Sequence, residues 1–222
     1  MRSTTYLLIT TCLTAALFLS GCGGAASLLD DLAGTRSETI EVVSEPTLDG
    51  RVATSGFLSF SPSTSVAFTG DMGDTYAPTY RSRQIFAFSM AALPAGARIT
   101  SATLRVHQSH SFGTPYPKLG NVVVDLVDYV GDPGPQTYDE QTLVRNIGTI
   151  STSPALGLRT LDVTGSVESV LVAGSAWSQF RLRFYTPGFS IVDDINDYVR
   201  FADAEDSFDT HNPPTLIIEY EH

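Results

Sequence analysis

Thr100-Ser101-Ala102-Thr103-Leu104-Arg105-Val106-His107 decides the fold, because from Ala102 onward apolar and polar residues alternate without a break. A period of two sends successive side chains to opposite faces of a strand. Ala102, Leu104 and Val106 therefore point into a core, and Thr103, Arg105 and His107 point away. The same texture recurs on both sides. Ile40 and Val42 flank Glu41, and Phe86, Phe88 and Met90 share one face of Gln84–Met90. Phe57–Phe60 and Val66–Phe68 are brief apolar pieces. Phe180, Leu182 and Phe184 alternate with Arg181 and Arg183, which reads as a half-buried strand. Val122–Val127 is apolar on both faces apart from Asp125 and reads as a central strand. Leu216 and Ile218 alternate with Ile217 and Glu219 and lead to Tyr220.

One segment carries the helical period. Val167, Val170 and Leu171 fall at i, i+3 and i+4, Thr164 or Ser166 can cap the start, and Gly174 can end it. Short strands separated by Gly, Pro, Asp and Ser, with one helix of about two turns, predict an all-β chain. The expected architecture is an antiparallel β-sandwich, jelly-roll-like, over residues 38–222.

The N-terminus reads differently. Arg2 precedes an apolar run from Tyr6, which is short for a membrane span and ends in Leu19-Ser20-Gly21-Cys22. That tetrapeptide resembles the bacterial lipobox. The resemblance implies a signal peptide over 1–21, cleavage before Cys22, and a diacylglycerol on its sulfur. Residues 22–37 then form a lipidated tether, and the partner at this end is a membrane entered by acyl chains. Gly23 lacks the aspartate associated with inner-membrane retention, so in a two-membrane cell the outer membrane is the expected site.

The chain has 2 cysteines, Cys12 and Cys22, and a formal net charge of −11 in 222 residues. If Cys12 leaves with the signal and Cys22 is acylated, no disulfide, Cys-ligated zinc or thiol nucleophile remains. The negative surface repels nucleic acid, whose binding requires Lys and Arg against phosphates. No His-Glu-x-x-His, Gly-x-Ser-x-Gly or phosphate-binding glycine loop occurs. The expectation is a non-enzymatic protein.

Several strings read in order carry a family likeness. They are Arg83-Gln84-Ile85-Phe86-Ala87-Phe88-Ser89-Met90 with Leu93-Pro94-Ala95-Gly96-Ala97, then Ile99–Val106, Leu161-Asp162-Val163-Thr164, Phe201–Glu205 and Pro214–Tyr220. Together they resemble the DNRLRE-type β-sandwich domains grouped with carbohydrate-binding module family 96. The resemblance implies a cell-surface domain that binds polysaccharide, in some members an acidic one such as alginate. The net negative charge here argues for a neutral glycan instead.

Sugar rings stack their C–H faces on aromatics, so the candidate carbohydrate-binding residues are rings in Gly/Pro-punctuated stretches. Tyr76 and Tyr80 lie in Asp71–Tyr80, and Phe112 and Tyr116 lie in His110–Lys118. Tyr138 and Trp177 are further rings of this kind, which either contact sugar or pack the sandwich edge. Asp193, Asp194 and Asp197 are spaced to suit a hard cation, so a structural calcium is the one cofactor considered. His107 and His110 face opposite ways on a regular strand, unless the strand bends after Gln108. Two functions follow: polysaccharide binding, or docking onto another envelope or extracellular protein.

Overall fold

The computed structural model describes residues 36–54, 58–62, 67–74, 77–129, 133–139, 141–186, 196–204 and 212–222. Cys22, Tyr76, Asp193 and Asp194 lie outside these described residues. In chain order the strands are β1 (Ser37–Val43), β2 (Gly50–Thr54), β3 (Leu58–Pro62), β4 (Thr69–Asp74), β5 (Ala77–Ser89) and β6 (Arg98–Phe112). They continue as β7 (Val122–Val127), β8 (Thr142–Ser151), β9 (Gly157–Asp162), β10 (Trp177–Phe184), β11 (Asp197–Phe201) and β12 (Thr215–Glu221). Helix α1 spans Pro115–Leu119, α2 spans Thr164–Val172, and a single 3-10 turn covers Pro135–Tyr138.

Every strand pairing among the described residues is antiparallel. One layer runs β1-β12-β6-β9, and the other runs β3-β2-β5-β10-β7-β8. The layers join because β5 and β6, the two longest strands, each serve two partners in succession. β5 pairs with β4 through Ser82 and with β10 from Gln84. β6 pairs with β12 up to Arg105 and with β11 from Gln108. β4 and β11 pair with each other and close the joint. Gln84 fixes it further: its amide donates to the Phe201 carbonyl at 2.8 Å and accepts the Phe201 N–H at 2.9 Å. A side-chain amide here supplies the two bonds a strand neighbour would otherwise make.

The inward faces read from the sequence form the main core. Phe86, Phe88, Ala102, Leu104, Val106, Phe180, Leu182, Leu216 and Ile218 are all buried in one cluster with Val122, Val124 and Leu126. Helix α2 closes this core with Val167 and Val170. The N-cap position is Val163, not Thr164 or Ser166, and no side chain caps it; the Asp162 carboxylate, one residue earlier, accepts from the N–H and hydroxyl of Thr164 at 2.9 and 2.6 Å. At the other end Gly174 N–H bonds to Leu171 and Ser175 N–H to Val170, a Schellman closure.

Two expectations need correction. The described residues include a second helix, α1, where a loop is expected, since Pro115 opens a helical turn as readily as it breaks a strand. The β10 strand is buried on both faces rather than half-buried. Behind it lies a second apolar cluster of Leu48, Val52, Ile85, Ala87, Val127, Tyr129 and Tyr138, with Trp177 packed against it. Arg181 and Arg183 project into that second layer, and Arg181 is 0% exposed.

Candidate functional site

The joint between the layers gathers the chemistry. On β6, His110 and Phe112 are two residues apart, and cross-strand pairing sets Tyr198 opposite Phe112 and Arg200 opposite His110. The Phe112 and Tyr198 rings stack at 5.5 Å between centroids with 9° between planes. His110 lies 6.1 Å from Tyr198 at 27° and 6.5 Å from Phe112 at 18°. Phe68 continues the row at 5.0 Å from Tyr198, and the Arg51 guanidinium lies 5.1 Å from the Phe68 ring centre. Phe112 is 46% exposed and His110 is also exposed. The β6–β11 register shifts between Arg200 and Phe201, opposite Gln108–His110. The register shift falls where the sequence allows a bend after Gln108, and His110 lies beside the rings.

Gly70 makes this row possible. It pairs with Tyr198 at φ +141°, and a Cβ there would lie 2.6 Å from the Tyr198 Cα and 2.3 Å from the Asp197 carbonyl oxygen. Only a residue without a side chain lets β11 come this close.

Tyr116 is not part of an exposed platform. It is buried on α1, its ring edge-on to Phe184 at 5.6 Å, and its hydroxyl bonds to Gln108 at 2.8 Å and Ser151 at 2.7 Å. Burial raises its pKa above the ordinary phenol value despite those two bonds. Tyr80 is a strand residue of β5 paired with Met72, since most of Asp71–Tyr80 forms the β4–β5 hairpin. Of the four rings expected to bind sugar, Phe112 is the one whose described side chain is exposed, and Tyr198 joins it unannounced.

Asp197 is likewise committed. Its carboxylate is 2% exposed, bonds to Lys118 Nζ at 2.6 Å, and accepts the Thr114 N–H. Gly113, at φ +68°, leaves the space: a Cβ there would lie 2.3 Å from Asp197 Oδ1. The carboxylate thus ties the turn before α1 to β11, and a lysine occupies the place a cation would take. Among the described residues, no group of three or more His, Cys, Asp or Glu is placed to hold a metal ion.

A cavity of about 400 Å³ opens beside the joint, with Gly70 and Asp71 of β4 in its wall. Arg81, Arg83, Arg145 and Arg183 line it, together with Tyr138, Asp139 and Tyr185. Its inner wall is a buried charge network. Asp125, 0% exposed, receives Arg183 through Nε at 2.8 Å and Nη2 at 3.1 Å, and Arg181 through Nη2 at 2.8 Å. Arg181 Nε at 3.3 Å and the Asn146 N–H at 2.8 Å add two further donors. Arg181 also donates to the Thr137 carbonyl at 2.8 Å and the Thr142 hydroxyl at 2.6 Å, which pins the 3-10 turn over the sheet. Burial works against ionising Asp125, but the bonds from Arg183 and Arg181 outweigh it and hold its carboxyl below the usual range. Arg83 sits 3.8 Å from the Tyr138 ring centre, bonds to the Tyr138 carbonyl, and pairs with Asp139 at 2.8 Å.

The arrangement offers stacking surface and fixed cations. No family model matches the chain, and no curated protein is significantly similar to it.

Proposed function

We propose that this chain is a cell-envelope lipoprotein whose β-sandwich binds an extracellular or cell-wall polysaccharide without cutting it. The observation that carries the reading is the stacked row of His110, Tyr198 and Phe112, with Phe112 46% exposed. Flat rings held on strands present a rigid apolar face to the C–H side of a pyranose. The likeness of Arg83–Met90, Ile99–Val106 and Pro214–Tyr220 to DNRLRE-type domains supports the same reading. Leu19–Cys22 supports acylation at Cys22, with the membrane as partner through the acyl chains. Gel retardation on polysaccharides tests the binding. The intact chain should be slowed by at least one polymer, and Phe112→Ala with Tyr198→Ala should abolish the effect. An unretarded intact chain on every polymer contradicts it.

A second reading has its own observation. Leu143 and Val144 on β8, Leu156, and Leu158 on β9 are 48–60% exposed. Exposed apolar residues on edge strands suit docking onto another envelope protein. Recovery of one stoichiometric partner from envelope extract, lost in Leu143→Ser with Leu158→Ser, favours docking over glycan binding.

A further inference from the structure

Lys118 is the one lysine among the 13 Lys and Arg residues of the sequence; at every other basic position the chain uses arginine. An amine, unlike a guanidinium, becomes a nucleophile once it gives up a proton. The single lysine amine sits where that difference counts. Lys118 Nζ donates to Asp197 Oδ2 at 2.6 Å, with the lysine side chain 23% exposed and the aspartate side chain 2%. Asp197 Oδ1 accepts the Thr114 N–H at 2.5 Å, in the space that Gly113 leaves. One carboxyl oxygen is thus held by a backbone donor, which draws charge from Cγ, and the other faces the amine. Asp71 is paired with Asp197 across β4 and β11, so the two side chains share one sheet face, and Asp71 is 7% exposed. A second carboxyl group therefore lies beside the pair.

We propose that Lys118 and Asp197 join in an intramolecular amide, an isopeptide bond between α1 and β11. The proton passes from Lys118 Nζ to Asp197 Oδ2, which leaves an amine against a carboxylic acid. The nitrogen lone pair attacks Asp197 Cγ, and the oxyanion formed on Oδ1 stays on the Thr114 N–H. Asp71 takes a proton from the nitrogen and returns it to Oδ2, the Cγ–Oδ2 bond breaks, and one water leaves. Asp71 ends as it began, and no oxidant or reductant is consumed. Contact between the reacting groups replaces a bimolecular encounter by an effectively unimolecular step, and burial of Asp197 keeps bulk water from reversing it. The product ties together residues 79 positions apart, at the joint of the two layers, and constrains the unfolded chain as a disulfide does.

Peptide mapping of the whole chain, purified folded and then unfolded for trypsin, tests it. A free Lys118 is cut, giving a peptide that ends at 118. The bonded form resists that cut and yields 106–145 joined to 184–200, one water lighter than the two peptides together. The joined species should dominate in the intact chain and vanish in Lys118→Arg, which keeps the ion pair without an amine to react. Asp71→Asn should leave most of the chain unjoined, and Asp71→Glu, which returns the carboxyl group, should restore the bond. Quantitative recovery of the peptide ending at 118 from the folded chain overturns the proposal, and so does a full yield of the joined species in Asp71→Asn.

Discussion

The ring row and the arginine cavity meet at β4, where Gly70 and Asp71 line the cavity and pair across to Tyr198 and Asp197, yet they are built on opposite terms. The outer part of the row, His110, Phe112 and Tyr198, consists of rings that lie beside one another and remain partly in water. Removing one ring exposes little that was satisfied before. The cavity wall consists of buried cations held around Asp125, where each group's position depends on the others. A recognition surface can be edited cheaply at the first and hardly at all at the second.

The largest expected effect breaks the second region. Asp125→Asn leaves Arg181 and Arg183 without their counter-charge, and the loss of a buried partner costs about 3–5 kcal/mol. Chemical unfolding should show it, and the 3-10 turn pinned by Arg181 should become susceptible to proteolysis. Gly70→Ala comes next, because it forces a Cβ into the backbone at Asp197–Tyr198. Strain of this kind costs about 1–3 kcal/mol. Here the row should be displaced, so binding should fall together with stability.

A pH series sharpens the contrast between two buried aspartates. Asp49 is 0% exposed like Asp125, but its Oδ1 accepts the Ala87 N–H at 3.0 Å with Ser44 beside it, and none of the ion pairs among the described residues joins it to an arginine. Burial pushes its pKa well above the ordinary value, and the nearby Asp203 and Glu45 carboxylates add to the rise. The signs are therefore opposite. Asp125 contributes stability that is present above the ordinary carboxylate pKa and is lost as pH falls through its depressed folded value. Asp49 contributes stability that is present below the ordinary pKa and is lost as pH rises through its elevated one. Melting temperatures between pH 3 and 9 should show Asp49→Asn gaining on the intact chain toward neutral pH. A constant offset across the range would contradict the assignment.

The smallest stability effect belongs to the row. Phe112→Ala should change unfolding free energy by no more than about 0.5 kcal/mol, as expected for an exposed site. A larger loss would mean that the rings hold the joint together and do not serve a ligand.

Alternation in β6 and β12 was readable because one buried face imposes a strict period on the sequence, and β7 was readable as a short run apolar on both faces. The 3.6 period of α2 was readable for the same reason. Burial on a second face was not. Arg181 and Arg183 look solvent-facing in the pattern, since a strand cannot announce that a distant turn around Pro135–Tyr138 covers it. Phe112 was identifiable as a ring next to a glycine. Tyr198 was hidden beside aspartates that read as ligands for a hard cation, although Val199 and Phe201 alternate with Tyr198 and Arg200 and mark β11. Tyr116 misled because a Gly/Pro-rich stretch suggests display, whereas its hydroxyl completes the buried Gln108–Ser151 pair. The cavity was invisible for a simpler reason: Arg81 and Arg83 lie far along the chain from Arg145 and Arg183, and only the fold unites them.

The account stands or falls on retention of the protein by a polysaccharide through the ring row. Affinity electrophoresis of the intact chain beside the Phe112→Ala, Tyr198→Ala double variant, across neutral and acidic polymers, measures it directly. Slowed migration of the intact chain on at least one polymer, with the variant running free, is the predicted result. Equal mobility of the two proteins on every polymer would contradict it.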